Sequence, residues 1–159
     1  MTAFDPVGAL QVLTDHEVRY IVIGGIAGAT HGSPSVTQDL DVCYERGPDN
    51  LERLASALAS IHARLRGADD VSFSLDAKTL AAGDHFTFVT DRGDLDCLGI
   101  PSGTLGYDDL KKDAVDVDLD GLVVAVASIE DLIRMKRAAG RPRDLAELEI
   151  LGALRDESP

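Results

Sequence analysis

From Val18 to Ile23 the chain runs VRYIVI, β-branched and almost wholly apolar, and stops at Gly24-Gly25. A strand with one wet face alternates polar and apolar residues, so an unbroken apolar run predicts a strand covered on both faces. Such a strand needs helices packed on its sheet, and the rest of the chain supplies them. Pro6 to Asp15 carries Val7, Leu10 and Leu13 at helical spacing, and IAGATH after the paired glycines suits a short helix closed by Gly32. Pro34 forces Ser33 into extended geometry, and a second strand follows from Asp39 to Tyr44. Leu51, Leu54, Leu58, Ile61 and Leu65 predict one face of an amphipathic helix. Phe86 to Val89 and Asp94 to Leu98 predict a hairpin about Thr90–Gly93, and Val115 to Leu119 with Leu122 to Val126 a second about Asp120-Gly121. Ser128 caps a helix through Arg137 that Gly140 ends; Pro142 starts the last helix, with Leu145, Leu148, Leu151 and Leu154 as its apolar face. The expectation is a single α/β (α+β) domain over residues 1–159, a mixed β-sheet with flanking helices.

Composition narrows the partners. The 159 residues hold 28 Asp+Glu against 15 Lys+Arg, a net charge of -13. Broad binding to DNA or RNA needs a basic face, which this balance denies. It leaves room for one nucleic acid end at the local basic cluster Arg134, Lys136, Arg137, Arg141 and Arg143. No apolar run approaches the ~20 residues of a membrane span, and MTAFDPVG has no basic leader region. Cys43 and Cys97 make no disulfide framework, so a reducing cytoplasm is the expected compartment.

The segment Val22 to Tyr44, VIGGIAGATHGSPSVTQDLDVCY, carries the chemistry. A strand that runs into two glycines and a helix start exposes backbone N–H groups, which suits a phosphate. Asp39 and Asp41 lie at i and i+2 in the following strand, so both carboxylates share a face while Leu40 and Val42 enter the core. Hard oxygen ligands on a rigid strand are what Mg²⁺ requires. Two carboxylates about 5 Å apart at an effective dielectric of about 20 repel by roughly 3 kcal/mol, so the pair calls for a cation or a raised pKa. Asp-apolar-Asp also occurs at Asp94/Asp96, Asp116/Asp118 and Asp118/Asp120, and alone it describes a solvated strand face. Position after the glycines sets the first instance apart.

Ile23-Gly24-Gly25, Asp39-Leu40-Asp41 and Leu95-Asp96-Cys97, in that order, resemble the signature of the nucleotidyltransferase superfamily, the fold typified by DNA polymerase beta. The surroundings look like its small bacterial branch of AbiEii-type toxins and minimal nucleotidyltransferases, where His31-Gly32, Lys136 and Arg141 to Asp144 have counterparts. The resemblance spans Val18 to Leu151, with Ser35 standing where relatives often carry an Arg. It implies transfer of an NMP from an NTP to an acceptor hydroxyl of RNA or protein, in the setting of a toxin with an antitoxin partner. It also implies two Mg²⁺ ions on Asp39, Asp41 and Asp96, and a triphosphate held by Gly24, Gly25 and Lys136. A catalytically silent nucleotide- or partner-binding chain of the same fold, and an antibiotic-modifying nucleotidyltransferase, are the alternatives. The chain looks short for the latter, since such enzymes usually add a helical substrate domain.

Other residues carry plainer readings. Asp116 to Gly121 imitates the start of an EF-hand, but its twelfth position is Ala127, so it is a strand face entering a turn. Lys136 falls on the apolar face of its helix, either as a snorkelling stem or as a cation over the acids. His31 is expected to be structural, Asp144 to offset a helix dipole. Cys43 shares the face of Asp39 and Asp41 while Cys97 points away from that of Asp96. Asp96, flanked by Leu95 and Cys97, is expected as the third ligand ahead of Asp94.

Overall fold

The computed structural model describes residues 2–68 and 73–157. Among them the chain forms helix α1 (Pro6–Asp15), strand β1 (Tyr20–Ile23), α2 (Gly24–Thr30), β2 (Asp39–Tyr44), α3 (Pro48–Ser60), β3 (Arg64–Leu65) and α4 (Ala77–Ala81). Then follow β4 (His85–Thr90), β5 (Gly93–Leu98), α5 (Tyr107–Lys111), β6 (Val115–Leu119), β7 (Leu122–Val126), α6 (Ile129–Ala139) and α7 (Asp144–Glu157). The strands make one mixed sheet in the order β3-β4-β5-β2-β1-β7-β6. The expected α/β architecture with a mixed sheet and flanking helices is what forms.

The apolar run becomes a central strand, with all of β1 buried. It pairs antiparallel with β2 and parallel with β7, and β2 pairs parallel with β5. Period two then does the sorting on β2: Leu40 and Val42 are fully buried, whereas Asp39 and Asp41 are half-buried on the other face. Both expected hairpins form, β4–β5 and β6–β7, the second through Asp120 and Gly121, both at positive φ. Asn50 joins α3 to the sheet. Fully buried, it accepts from the Arg19 N–H at 2.7 Å and donates to the carbonyls of Arg19 and Glu45 at 3.1 and 2.8 Å.

Two helices depart from expectation. Leu65 does not extend α3: the helix ends at Ser60, His62 takes a left-handed φ of 53°, and Leu65 pairs with Phe88 across β3 and β4. A left-handed exit is usually glycine's, so the sequence carried no stop signal there. Leu145 is 65% exposed, and α7 buries Asp144 and Leu151 with Leu148 partly covered. A charged residue holds the place expected of a leucine because ion pairs satisfy it there.

Candidate active site

β1 delivers its glycines beside the acids of β2, with Ile23 directly opposite Asp41. Gly24 sits at φ +69°, a conformation costly for other residues, and a Cβ there would collide with the Asp41 carboxylate. At Gly25 a Cβ would lie 2.8 Å from that of Thr37. No side chain caps the start of α2, which begins at Gly24 itself, two residues before the expected helix. Thr37 donates its hydroxyl to the Asp39 carbonyl at 3.1 Å, fixing the entry into β2.

The parallel register sets Asp41 opposite Asp96 and Asp39 opposite Asp94. Asp39, Asp41 and Asp96 each offer a carboxylate oxygen within 4.8 Å of the others, the one such group among the described residues. Asp94 shares their face but stands outside, its side chain 40% exposed against Arg66. Burial pushes Asp41 up to about 8, and the charge and hydrogen bond of Asp96 and the charge of Asp39 add to it. Lys136 works against that rise.

Lys136 is thus placed where its charge reaches the acids, but its Nζ contact is with Asp144, 3.3 Å away. Asp144 lies in the first turn of α7 as expected, and it does more than offset a dipole: it is buried and accepts from Arg141 Nε at 2.9 Å, from Arg141 Nη2 at 3.2 Å and from the Arg141 backbone N–H at 3.2 Å. The Arg141 side-chain bonds bring its pKa down to about 2, helped by Arg141's backbone N–H and by Lys136. Ser35 is held the same way: Glu147 of α7 accepts from Ser33 Oγ at 3.0 Å and from Ser35 Oγ at 2.6 Å. The loop between α2 and β2 is therefore tied to the last helix.

Sequence reasoning missed Arg66 altogether. From the end of β3 its Nη2 reaches Asp96 Oδ1 at 2.8 Å and the Phe88 carbonyl at 3.2 Å, and its Nε lies 3.4 Å from Asp94 Oδ2. Nothing local in the sequence signals a contact between residues so far apart. The structural expectations for the rest fit their geometry. His31 Nε2 lies 2.8 Å from the Ala127 carbonyl, and Cys43 and Cys97 are buried and unpaired. Asp118 Oδ1 accepts from Gly121 N at 2.7 Å within the β6–β7 turn. Of the basic cluster, Arg134 pairs with Asp109 and Asp131, while Arg137 and Arg143 are exposed.

No protein-family model matches the chain, and no curated protein does. Solved structures do. The chain is similar to TM1012 of Thermotoga maritima, described as a nucleotidyltransferase, with a TM-score of 0.56 and 17% identity over 94% of this chain and 90% of that one. It is similar to the lincosamide antibiotic adenylyltransferase LnuA, lincomycin-bound, with a TM-score of 0.62 and 11% identity over 93% of this chain and 94% of that one. The antibiotic-resistance factor ANT(2'')-Ia in solution gives a TM-score of 0.58 and 13% identity over 92% and 80% of the two chains. The chain has the nucleotidyltransferase fold. No helix among the described residues is long and apolar enough to cross a membrane.

Proposed function

We propose that the chain is a nucleotidyltransferase that moves an NMP from an NTP to an acceptor hydroxyl and releases pyrophosphate, using Mg²⁺ held by Asp39, Asp41 and Asp96. The observation that carries this is the carboxylate trio beside Gly24-Gly25, on the sheet of this fold. The donor set suits the ion: hard oxygens from two strands, a glycine that leaves the space beside Asp41 open, and a carboxylate whose proton affinity is raised by burial and then by the facing Asp96 and Asp39. When bound, two such ions neutralise triphosphate charge and favour in-line displacement between attacking and leaving oxygens.

The chain's own groups supply the rest. The N–H groups at Gly24 and Gly25 bind phosphate oxygens, and Lys136, its side chain 27% exposed, offers Nζ to the triphosphate from the α6 side. The acceptor oxygen attacks the α-phosphorus, the bond to the β-phosphate oxygen breaks, and Asp96 takes the hydroxyl proton. Retention of the whole trio favours this reading over a silent chain, since Ser35 contacts Glu147 and none of the acids.

For the acceptor, RNA or protein modified by a toxin under an antitoxin's control comes from the sequence resemblance alone. A small hydroxyl-bearing antibiotic is the second reading, and one observation favours it: this chain spans 94% of LnuA. Shortness therefore does not argue against a small-molecule acceptor. The test is incubation of the chain with each labelled NTP and Mg²⁺, against total RNA, total protein and a panel of hydroxyl-bearing antibiotics. Label transfer that vanishes in Asp39→Asn with Asp41→Asn is expected. Transfer at full rate in that double variant, or none to any acceptor, overturns the assignment.

A further inference from the structure

Among the described residues, Asp96 is the one member of the trio that pairs directly with a cation. Arg66 approaches it from the far side of the sheet order, since β5 lies between β4 and β2: Asp39 and Asp41 stand on β2, whereas Arg66 is tied to β4. Its backbone N–H bonds the Thr87 carbonyl at 2.9 Å and its Nη2 the Phe88 carbonyl at 3.2 Å. The same Nη2 holds Asp96 Oδ1 at 2.8 Å, while Nε, buried and without a hydrogen bond, faces Asp94 at 3.4 Å. The guanidinium is thus anchored by main chain on one side and spans two carboxylates on the other. The carboxylate so held is the one that offers an oxygen within 4.8 Å of those of Asp39 and Asp41. Groups that hold a ligand's outer atoms change metal affinity by about 10–100-fold when removed.

We propose that Arg66 is the positioning residue of this site: anchored on β4, its guanidinium fixes the Asp96 carboxylate toward Asp39 and Asp41 and thereby sets the divalent-cation affinity of the trio. This rests on the proposed use of a divalent ion. It differs from the other role open to a cation here, that of an occupant which an ion must displace: among the described residues the ion pairs of Arg66 are with Asp94 and Asp96, not with Asp39 or Asp41.

Mn²⁺ affinity of the nucleotide-free protein, read from the electron paramagnetic resonance of free Mn²⁺, tests it in a double-mutant cycle. Arg66→Met is expected to weaken Mn²⁺ binding by about tenfold, and Arg66→Lys to recover part of that loss. In an Asp96→Asn background Arg66→Met is expected to change nothing beyond about twofold, because the partner through which it acts is gone. Equal losses in both backgrounds would make Arg66 merely structural, and tighter binding in Arg66→Met would make it a competitor of the ion; either overturns the proposal. If Arg66→Met does not fold, by thermal melting in EDTA, the Arg66→Lys cycle decides by the same rule. Should the wild type bind Mn²⁺ no better than Asp39→Asn with Asp41→Asn, the metal reading itself falls, an outcome distinct from an unresponsive Arg66.

Discussion

Asp41→Asn isolates the electrostatic cost of the trio without any knowledge of the acceptor. Asparagine keeps the shape and loses the charge. The Asp41 pKa stands at about 8 against an ordinary 3.8, first because burial strips water from the carboxylate and then because Asp96 and Asp39 face it. The folded chain therefore holds this proton more tightly than the unfolded one. The resulting stabilisation is whole below about pH 4 and is lost as pH rises through about 8. At neutral pH the lost stability is on the order of 4 kcal/mol, taking 1.36 kcal/mol per pKa unit. The buried amide that replaces the carboxylate gives back about 1–3 kcal/mol of that in its own desolvation. The net expectation is a variant more stable than wild type by about 1–3 kcal/mol near pH 7 in EDTA, or about 3–10 °C in Tm for a chain of this size.

Thermal melting by circular dichroism across pH, with EDTA and then with Mg²⁺, reads the effect. The advantage of the variant is expected to shrink as pH falls and to reverse toward about pH 4, where Asp41 is protonated in both states and only the amide's own desolvation remains. Mg²⁺ is expected to raise the wild-type Tm by mass action, more strongly at high pH, and to leave Asp41→Asn nearly unmoved. A variant that melts below wild type near pH 7 in EDTA would refute the reasoning, as would a gap that does not depend on pH.

Other expectations follow from single contacts. Asn50→Ala removes three part-buried hydrogen bonds to main chain, though the Arg19 carbonyl keeps a partner in the Glu45 N–H, so urea unfolding is expected to show a loss of about 2–4 kcal/mol. Gly24→Ala places a Cβ against Asp41 at a left-handed φ, costing about 1–2 kcal/mol from the backbone alone and reducing Mn²⁺ binding in the same titration used for Arg66. Lys136→Met leaves Asp144 its Arg141 partner, so stability is expected to change little, whereas NTP affinity by equilibrium dialysis falls by about 1.5–3 kcal/mol. An unchanged dissociation constant would return Lys136 to the role of a snorkelling stem.

The parts of the site that were legible are those governed by local periodicity. Alternation in Asp39-Leu40-Asp41-Val42 determines which side chains are buried, and parity puts both carboxylates on one face whatever the sheet does. Asp96 could be ranked above Asp94 because apolar neighbours hold its strand in place, and the structure brings Asp96 into the trio. Arg66 and Asn50 were not legible because each acts on main chain or carboxylates distant in sequence, through registers that only the assembled sheet defines. Leu65 and Leu145 misled for a related reason. A leucine at helical spacing predicts burial only where no strand pairing or ion pair claims the place first, and here β3 and Asp144 do.

The charges around the trio leave it with unbalanced negative charge, which is what the proposed use of a divalent ion requires. Arg66 braces it from β4 and Lys136 from α6, but each cation is shared with a further carboxylate, Asp94 and Asp144 respectively, and Arg141 is spent on Asp144. Among the described residues, five carboxylates thus meet three cations, and two negative charges are left over. A proton on Asp41 removes only one of them, which is the state that burial and its neighbours favour in the protein alone. A divalent cation removes both at once and returns the proton to solvent. A monovalent ion would leave the same residual charge as the proton, so affinity for a divalent ion is expected to exceed that for Na⁺ or K⁺ by more than size alone requires. The ion that accompanies a triphosphate brings its own counter-charge and needs no further carboxylate. On the proposed function, the residual charge of the described residues suits a divalent ion at the trio better than a monovalent one.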